Sequence, residues 1–253
     1  MVNKVFLQDV NDFLESFESN SIDLIIADPP YNIGIDKWDK FETQEKYWNF
    51  MHKWLDNAVK KLKIGGSIYI FNNQFNSAIT LNYLSDKLQF NNWITWFKKD
   101  GFHPTKTKFV NNQETCLFMS KGKPSVFNYE KIRVPYLSIE RLMSGKGVKG
   151  KNGLYWKPNP NGKLCGDVWE FSSERHNKKN KGKTVKLSHP TIKPYELIKR
   201  IIIASSNADS LVVDLFSGSG QTTLVSKELG IKSLGCEIDK KYYLEICKKI
   251  CKN

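Results

Sequence analysis

Across its 253 residues the chain has no apolar run approaching the roughly twenty residues needed to cross a bilayer. The opening Met1-Val2-Asn3-Lys4 carries no signal-peptide pattern, so a cytoplasmic protein with no membrane partner is expected. Cysteine is scarce: Cys116, Cys165, Cys236, Cys247 and Cys251 are odd in number and lack the paired short spacings of a zinc site or disulfide framework. They read as reduced and structural. Four histidines, His52, His103, His176 and His189, show no metal-ligand spacing either, and no metal is expected.

Positive charge is abundant. The formal net charge is +13 and hydrophobic residues make up 40% of the chain, enough for a real core in one catalytic domain with a modest insertion. Residues 121–184 hold 15 Lys and Arg against 5 Asp and Glu, so ten of the thirteen net positive charges fall in about a quarter of the chain. Such a concentration suits a polyanionic partner, and a solvated basic face is the plainer alternative.

Short apolar runs at 4–9 and 22–27 read as buried strands, the second stopped by Asp28-Pro29-Pro30 because proline cannot continue a ladder. From Thr43, the apolar residues Tyr47, Phe50, Met51, Trp54, Leu55, Ala58, Val59 and Leu62 recur at helical spacing. Gly65-Gly66 is expected to close that helix before a strand at 67–71. A weaker helix at 77–88 and strands at 93–97 and 114–119 follow, suggesting a mostly parallel sheet covered on both faces. Regular patterning fails over about 121–187, then returns with a helix near 194–206, a strand at 211–216, a helix at 221–229, a strand at 232–238 and a last helix. The expectation is an α/β domain split into 1–120 and 185–253 by a basic insert at 121–184.

Two segments carry chemistry. Asp214-Leu215-Phe216-Ser217-Gly218-Ser219-Gly220 lies where a strand turns into a helix that starts at Gln221-Thr222, the place where open α/β sheets bind ligands. Glu237 follows at the end of the next strand, about twenty residues on, placed to accept ribose hydroxyls. Thr223 stands where a dinucleotide fingerprint would have a third small residue, which argues against a nicotinamide or flavin enzyme. Asp28-Pro29-Pro30-Tyr31 is the more specific signal: the prolines fix a backbone from which the Asp28 carboxylate and Pro29 carbonyl can face one amino group, with the Tyr31 ring as a stacking surface. Two acceptors on an aromatic amine favour a pyramidal nitrogen and stabilise the positive charge that develops on methylation. Alone, each segment reads as a tight turn.

Together they resemble the β group of amino-methyltransferases, in which the Asp-Pro-Pro-Tyr motif precedes the glycine loop, as residues 28–31 here precede 214–220. The likeness extends to Trp93-Ile94-Thr95-Trp96, Gln113-Glu114-Thr115, Asn159-Pro160-Asn161-Gly162, Phe171-Ser172-Ser173 and Gly182-Lys183-Thr184-Val185-Lys186-Leu187. It implies a three-layer, Rossmann-like α/β methyltransferase fold in circularly permuted order. The implied reaction transfers methyl from S-adenosylmethionine, leaving S-adenosylhomocysteine, to the N6 amine of an adenine flipped out of duplex DNA. Family habit pairs Asp at position 28 with adenine. Methylation of the cytosine N4 amine, of RNA, or a catalytically silent DNA-binding relative are the rival readings.

The resemblance assigns Asp28, Pro29, Pro30 and Tyr31 to catalysis, with Asp28 also beside the cofactor. It places the cofactor on Asp9, His189, Thr191, Lys193, Asp214, Phe216, Ser217, Gly218, Ser219, Gly220, Gln221, Thr222 and Glu237. Lys193 would pair with the cofactor carboxylate, although its segment also reads as a helix N-terminus, and Asp9 alone reads as a turn acid or helix cap. In the insert, Arg133, Arg141 and Arg175 are candidate base readers, and Lys178 and Lys179 are further candidate DNA contacts. A homodimer and a cognate restriction endonuclease are protein partners compatible with such an enzyme.

Overall fold

The computed structural model describes residues 3–98, 105–138, 147–151, 153–173, 177–180, 183–186 and 190–252; at 148, 156, 177–180, 183–186 and 252 only the backbone is described. The strands, in chain order, are β1 (Asn3–Leu7), β2 (Ile22–Ala27), β3 (Leu62–Asn72), β4 (Gln89–Phe97), β5 (Gln113–Ser120) and β6 (Val148–Lys149). They continue with β7 (Tyr155–Trp156), β8 (Val168–Glu170), β9 (Asn177–Asn180), β10 (Lys183–Lys186), β11 (Leu211–Asp214) and β12 (Lys232–Glu237). The helices are α1 (Val10–Glu15), α2 (Gln44–Lys61), α3 (Gln74–Leu84), α4 (Tyr195–Ser205), α5 (Gln221–Glu228) and α6 (Lys240–Lys252).

Eight strands form one sheet in the order β1-β12-β11-β2-β3-β5-β4-β8. Alternation along the strands builds a core on each face. Ile22 and Ile25 of β2, Ile68 and Ile70 of β3, and Leu117 and Met119 of β5 face Trp54, Leu55 and Met51 of α2 together with Phe13 and Leu14 of α1. Leu24, Ile26, Tyr69, Phe71, Cys116 and Phe118 face the opposite way, onto Leu197, Ile198, Ile201 and Ile202 of α4 and Val225 of α5. The result is the expected three layers. Full burial of such aliphatic side chains contributes about 1.5–3 kcal/mol each.

Three expectations need correction. The helix α2, capped by the Thr43 side chain on the Lys46 amide, passes directly into β3, so Gly65-Gly66 lie inside the strand. Gly65 is there because its φ of +79° and its approach to Ser125 leave no room for a Cβ, which would sit 1.9 Å from Ser125 Oγ. Helix α3 starts three residues before its expected start at 77 and ends at Leu84, because Asn73 caps it by accepting from the Asn76 amide. The sheet itself is mostly parallel, as expected, and β5 alone runs against its neighbours β3 and β4. Finally, the 121–184 stretch is not wholly outside the sheet, since β8 pairs in parallel with β4 and buries Trp169. The hairpins β6-β7 and β9-β10 lie outside it.

This topology makes the crevice. From β2 the chain crosses to β3 on one side, and from β11 to β12 on the other, while β2 and β11 pair with each other. The loops leaving their carboxyl ends therefore diverge. Because β5 runs the other way, its first residues and the end of β4 arrive at the same edge, with Thr115 opposite Asn72 and Phe97 opposite Gln113.

Candidate active site

A cavity of about 590 Å³ opens at that edge, within the range of small-molecule sites. Asp28, Pro29, Pro30 and Tyr31 line it from the end of β2, and Asp214, Phe216, Ser217, Gly218 and Ser219 from the end of β11. Glu237 enters from β12, Asp9 from β1, and Gln221 and Thr222 from the first turn of α5. Thr191 and Lys193 come from the segment before α4. Residues more than two hundred positions apart thus meet as the sequence suggested. Gly220 is the exception. It does not line the cavity; with φ +78° it starts α5, and a Cβ there would lie 2.8 Å from Ile246 Cγ2 of α6. His189 lies outside the described residues.

At the glycine loop, the Gly218 amide donates to Glu237 Oε2 at 2.7 Å and the Asp239 amide to Oε1 at 2.8 Å. The Glu237 carboxylate is thereby fixed with acceptor capacity left for a ligand. Burial raises its pKa above the ordinary value. Asp214 is pushed up to about 7, first by burial, with Asp28 and Glu237 adding to it and the Thr222 side chain and Phe216 amide opposing it. Asp9 does serve as the cap of α1, accepting from the Asn11 amide at 2.8 Å, and faces the cavity as well.

The catalytic motif sits in a charged cluster. Lys193 Nζ donates to Asp28 Oδ2 at 2.6 Å and lies 3.3 Å from Glu114 Oε2. The Tyr31 hydroxyl lies 2.9 Å from Asp28 Oδ1 and 3.1 Å from Glu114 Oε2, while Lys98 donates to Glu114 Oε1. Lys193 therefore meets Asp28 in this structure, where sequence reasoning directed it at the cofactor carboxylate. Burial lowers the Lys193 pKa, yet the Asp28 and Glu114 carboxylates outweigh it and hold it above the usual lysine value. For Tyr31 burial and both carboxylates act together, raising the phenol well above its ordinary value.

Sequence reasoning gave no role to the residue that shapes the motif's loop. Asp39, 1% exposed, accepts the amides of Tyr31 at 2.6 Å and Asn32 at 2.8 Å on Oδ1, and those of Ile33 and Ile35, both at 3.1 Å, on Oδ2. One carboxylate thus gathers four backbone donors of a loop in which Asn32 takes the left-handed φ of +56°. On the other flank Asn76 donates to the Tyr31 carbonyl at 2.8 Å. Trp38, Phe50 and Tyr242 also line the cavity without having been singled out. Nothing in local sequence marks an acid in a polar loop as buried.

Of the candidate DNA contacts, Arg133 places its guanidinium on both Glu130 oxygens, at 2.6 and 2.8 Å, and on the Gly162 carbonyl at 2.8 Å. Those bonds engage donors that base reading would use. Arg141 and Arg175 lie outside the described residues, and Lys178 and Lys179 fall on β9, where only the backbone is described. Among the described residues no group of His, Cys, Asp or Glu has metal-site geometry, no helix is long and apolar enough to span a membrane, and all five cysteines are free.

A family model described as DNA methylase, named for N6 and N4 methyltransferases, matches residues 22–249. The Type II methyltransferase M1.MboII of Moraxella bovis is 48% identical over 244 residues, covering 95% of this chain and 94% of that one. M.HpaI of Haemophilus parainfluenzae is 35% identical over 240 residues, 93% of this chain and 70% of the other. Among solved structures, an M1.HpyAVI–SAM complex matches with a TM-score of 0.62 at 23% identity, over 97% of this chain and 98% of its own. The cytosine-N4-specific PvuII DNA methyltransferase matches with a TM-score of 0.70 at 19% identity, over 98% of this chain and 86% of its own. At those identities the two structures speak to the fold alone. The family match and the M1.MboII likeness both span nearly the whole sequence, and the chain belongs to the DNA methylase family of N6 and N4 amino-methyltransferases.

Proposed function

We propose that this DNA methyltransferase moves a methyl group from S-adenosylmethionine to the N6 amine of an adenine flipped out of duplex DNA, at a specific site within a restriction-modification system. The observation that carries the reading is the meeting of Asp28 with Glu237 and the glycine loop in one cavity. The lining fits the cofactor. Six acidic residues, Asp9, Asp28, Asp39, Glu114, Asp214 and Glu237, outnumber two lysines, Lys98 and Lys193, around a space walled by Phe216 and Ile238, which suits a ligand with a cationic sulfonium, ribose hydroxyls and an apolar-faced base. Glu237 would accept the ribose hydroxyls and Asp9 the adenine amine, with Thr191 toward the methionine end.

When bound, the cofactor supplies an electrophilic methyl group. The chain's part is to hold the amine: Asp28 and the Pro29 carbonyl accept its N–H bonds, and Asp28 stabilises the positive charge that grows on nitrogen. Tyr31 offers its ring as a stacking surface for the base, its hydroxyl being engaged with Asp28. No cysteine nucleophile is needed. Asp at position 28 supports adenine over cytosine, and the basic 121–184 stretch supports DNA phosphate contact. Single-molecule sequencing of DNA from cells expressing the protein tests the assignment. N6-methyladenine confined to one sequence context is expected; N4-methylcytosine in its place would overturn the adenine reading.

A further inference from the structure

Both oxygens of Asp28 are already bound. Lys193 occupies Oδ2 at 2.6 Å and the Tyr31 hydroxyl occupies Oδ1 at 2.9 Å. An amine can still reach the remaining lone pairs of Asp28, but it must then share the carboxylate with both donors, and Lys193 is only 7% exposed, so an ammonium that leaves Asp28 cannot turn to water. While Lys193 stays on Asp28, moreover, its charge cancels the negative charge that the developing cation on nitrogen requires.

Glu114 removes the obstacle. Its Oε2 lies 3.3 Å from Lys193 Nζ and 3.1 Å from the Tyr31 hydroxyl, so both donors on Asp28 already have the same second acceptor. Its Oε1 is held by Lys98, which fixes the carboxylate at the start of β5. Burial pushes the Glu114 carboxyl upward, but the Lys193 and Lys98 ammoniums outweigh burial and keep its pKa below the usual value. The cluster therefore holds two carboxylates, Asp28 and Glu114, against two ammoniums, Lys193 and Lys98.

We infer that Glu114 is a positioning residue that takes Lys193 and the Tyr31 hydroxyl from Asp28 when the target amine arrives. The exchange leaves no buried donor unpaired, keeps the cluster's net charge constant, and presents the whole charge of Asp28 to the nitrogen. In the absence of DNA the catalytic carboxylate rests in a neutralised form. The inference rests on the reading of Asp28 as the acceptor of the amine.

The test is Glu114→Gln in the full chain, with tritiated methyl transfer to unmethylated genomic DNA and calorimetry for S-adenosylmethionine. The glutamine side chain keeps the shape but cannot hold Lys193 away from Asp28, so kcat should fall about 10–100-fold while the KM for DNA and the cofactor affinity stay within about threefold. Glu114→Asp, which restores the charge, should recover roughly tenfold of that loss. Turnover of Glu114→Gln within about twofold of wild type, or an aspartate variant no better than the glutamine one, overturns the inference. Should Glu114→Gln not fold, Lys98→Gln frees the carboxylate from its anchor and should lower kcat about tenfold with cofactor affinity unchanged; normal turnover there overturns it equally. A wild type that transfers no methyl group to DNA refutes the reading of Asp28 itself, and with it the exchange.

Discussion

Asp214 ends β11 against the floor of the cavity, and its carboxyl is lifted from an ordinary value near 3.8 to about 7, by burial first and then by Asp28 and Glu237. A folded pKa above the unfolded one means that the native state holds a proton which the unfolded chain has released. The stabilisation is present in full below pH 4 and is lost as pH rises through about 7. Replacing the group with a neutral isostere removes that loss. Asp214→Asn, which can still accept from the Phe216 amide, should therefore raise the melting temperature of the ligand-free protein by roughly 3–6 °C more at pH 8 than at pH 5. Equal shifts at both pH values would mean that Asp214 is not the group titrating. A cationic ligand answers the same crowding of carboxylates, which ties this stability effect to what the cavity accepts.

Elements were legible where one pattern dominated. Ile22–Ala27 reads as a strand because it is apolar on both faces and ends at Pro29, and α2 because its apolar stripe repeats through Tyr47, Met51, Trp54, Leu55 and Ala58. The glycine loop and Glu237 were legible for the same reason, each standing at the end of a recognisable strand. What escaped depends on tertiary partners. The β8 strand has three residues of which only Trp169 is buried, too little for any periodicity. The reversal of β5 is a choice of pairing direction that no local spacing encodes, yet it brings Glu114 and Lys98 to the site. Asp39 follows the same rule, since its four amide donors lie on a loop whose path the carboxylate itself organises. Gly220 was read as a ligand-facing glycine, whereas the reason for it is Ile246, some two dozen residues later.

On the scale of the whole molecule, chemistry and positive charge occupy different parts of the chain: the carboxylate-lined cavity belongs to the sheet edge, while ten of thirteen net charges lie in 121–184. That separation predicts separable losses. Replacing the exposed Lys149, Lys151, Lys157 and Lys163 together by Gln should weaken DNA binding and flatten its salt dependence by about 0.9 log units per phosphate contact removed, with cofactor affinity unchanged. An unaltered salt slope would locate the DNA surface elsewhere. The central claim is narrower, that Asp28 holds and charges the reacting amine, and Asp28→Ala tests it directly because Glu114 remains to pair with Lys193. Methyl transfer to DNA, measured beside calorimetric cofactor binding, should fall by about a hundredfold or more while cofactor affinity persists. Near-normal turnover, or a loss that appears only together with loss of cofactor binding and folding, would contradict the account and leave residues 28–31 as a structural turn.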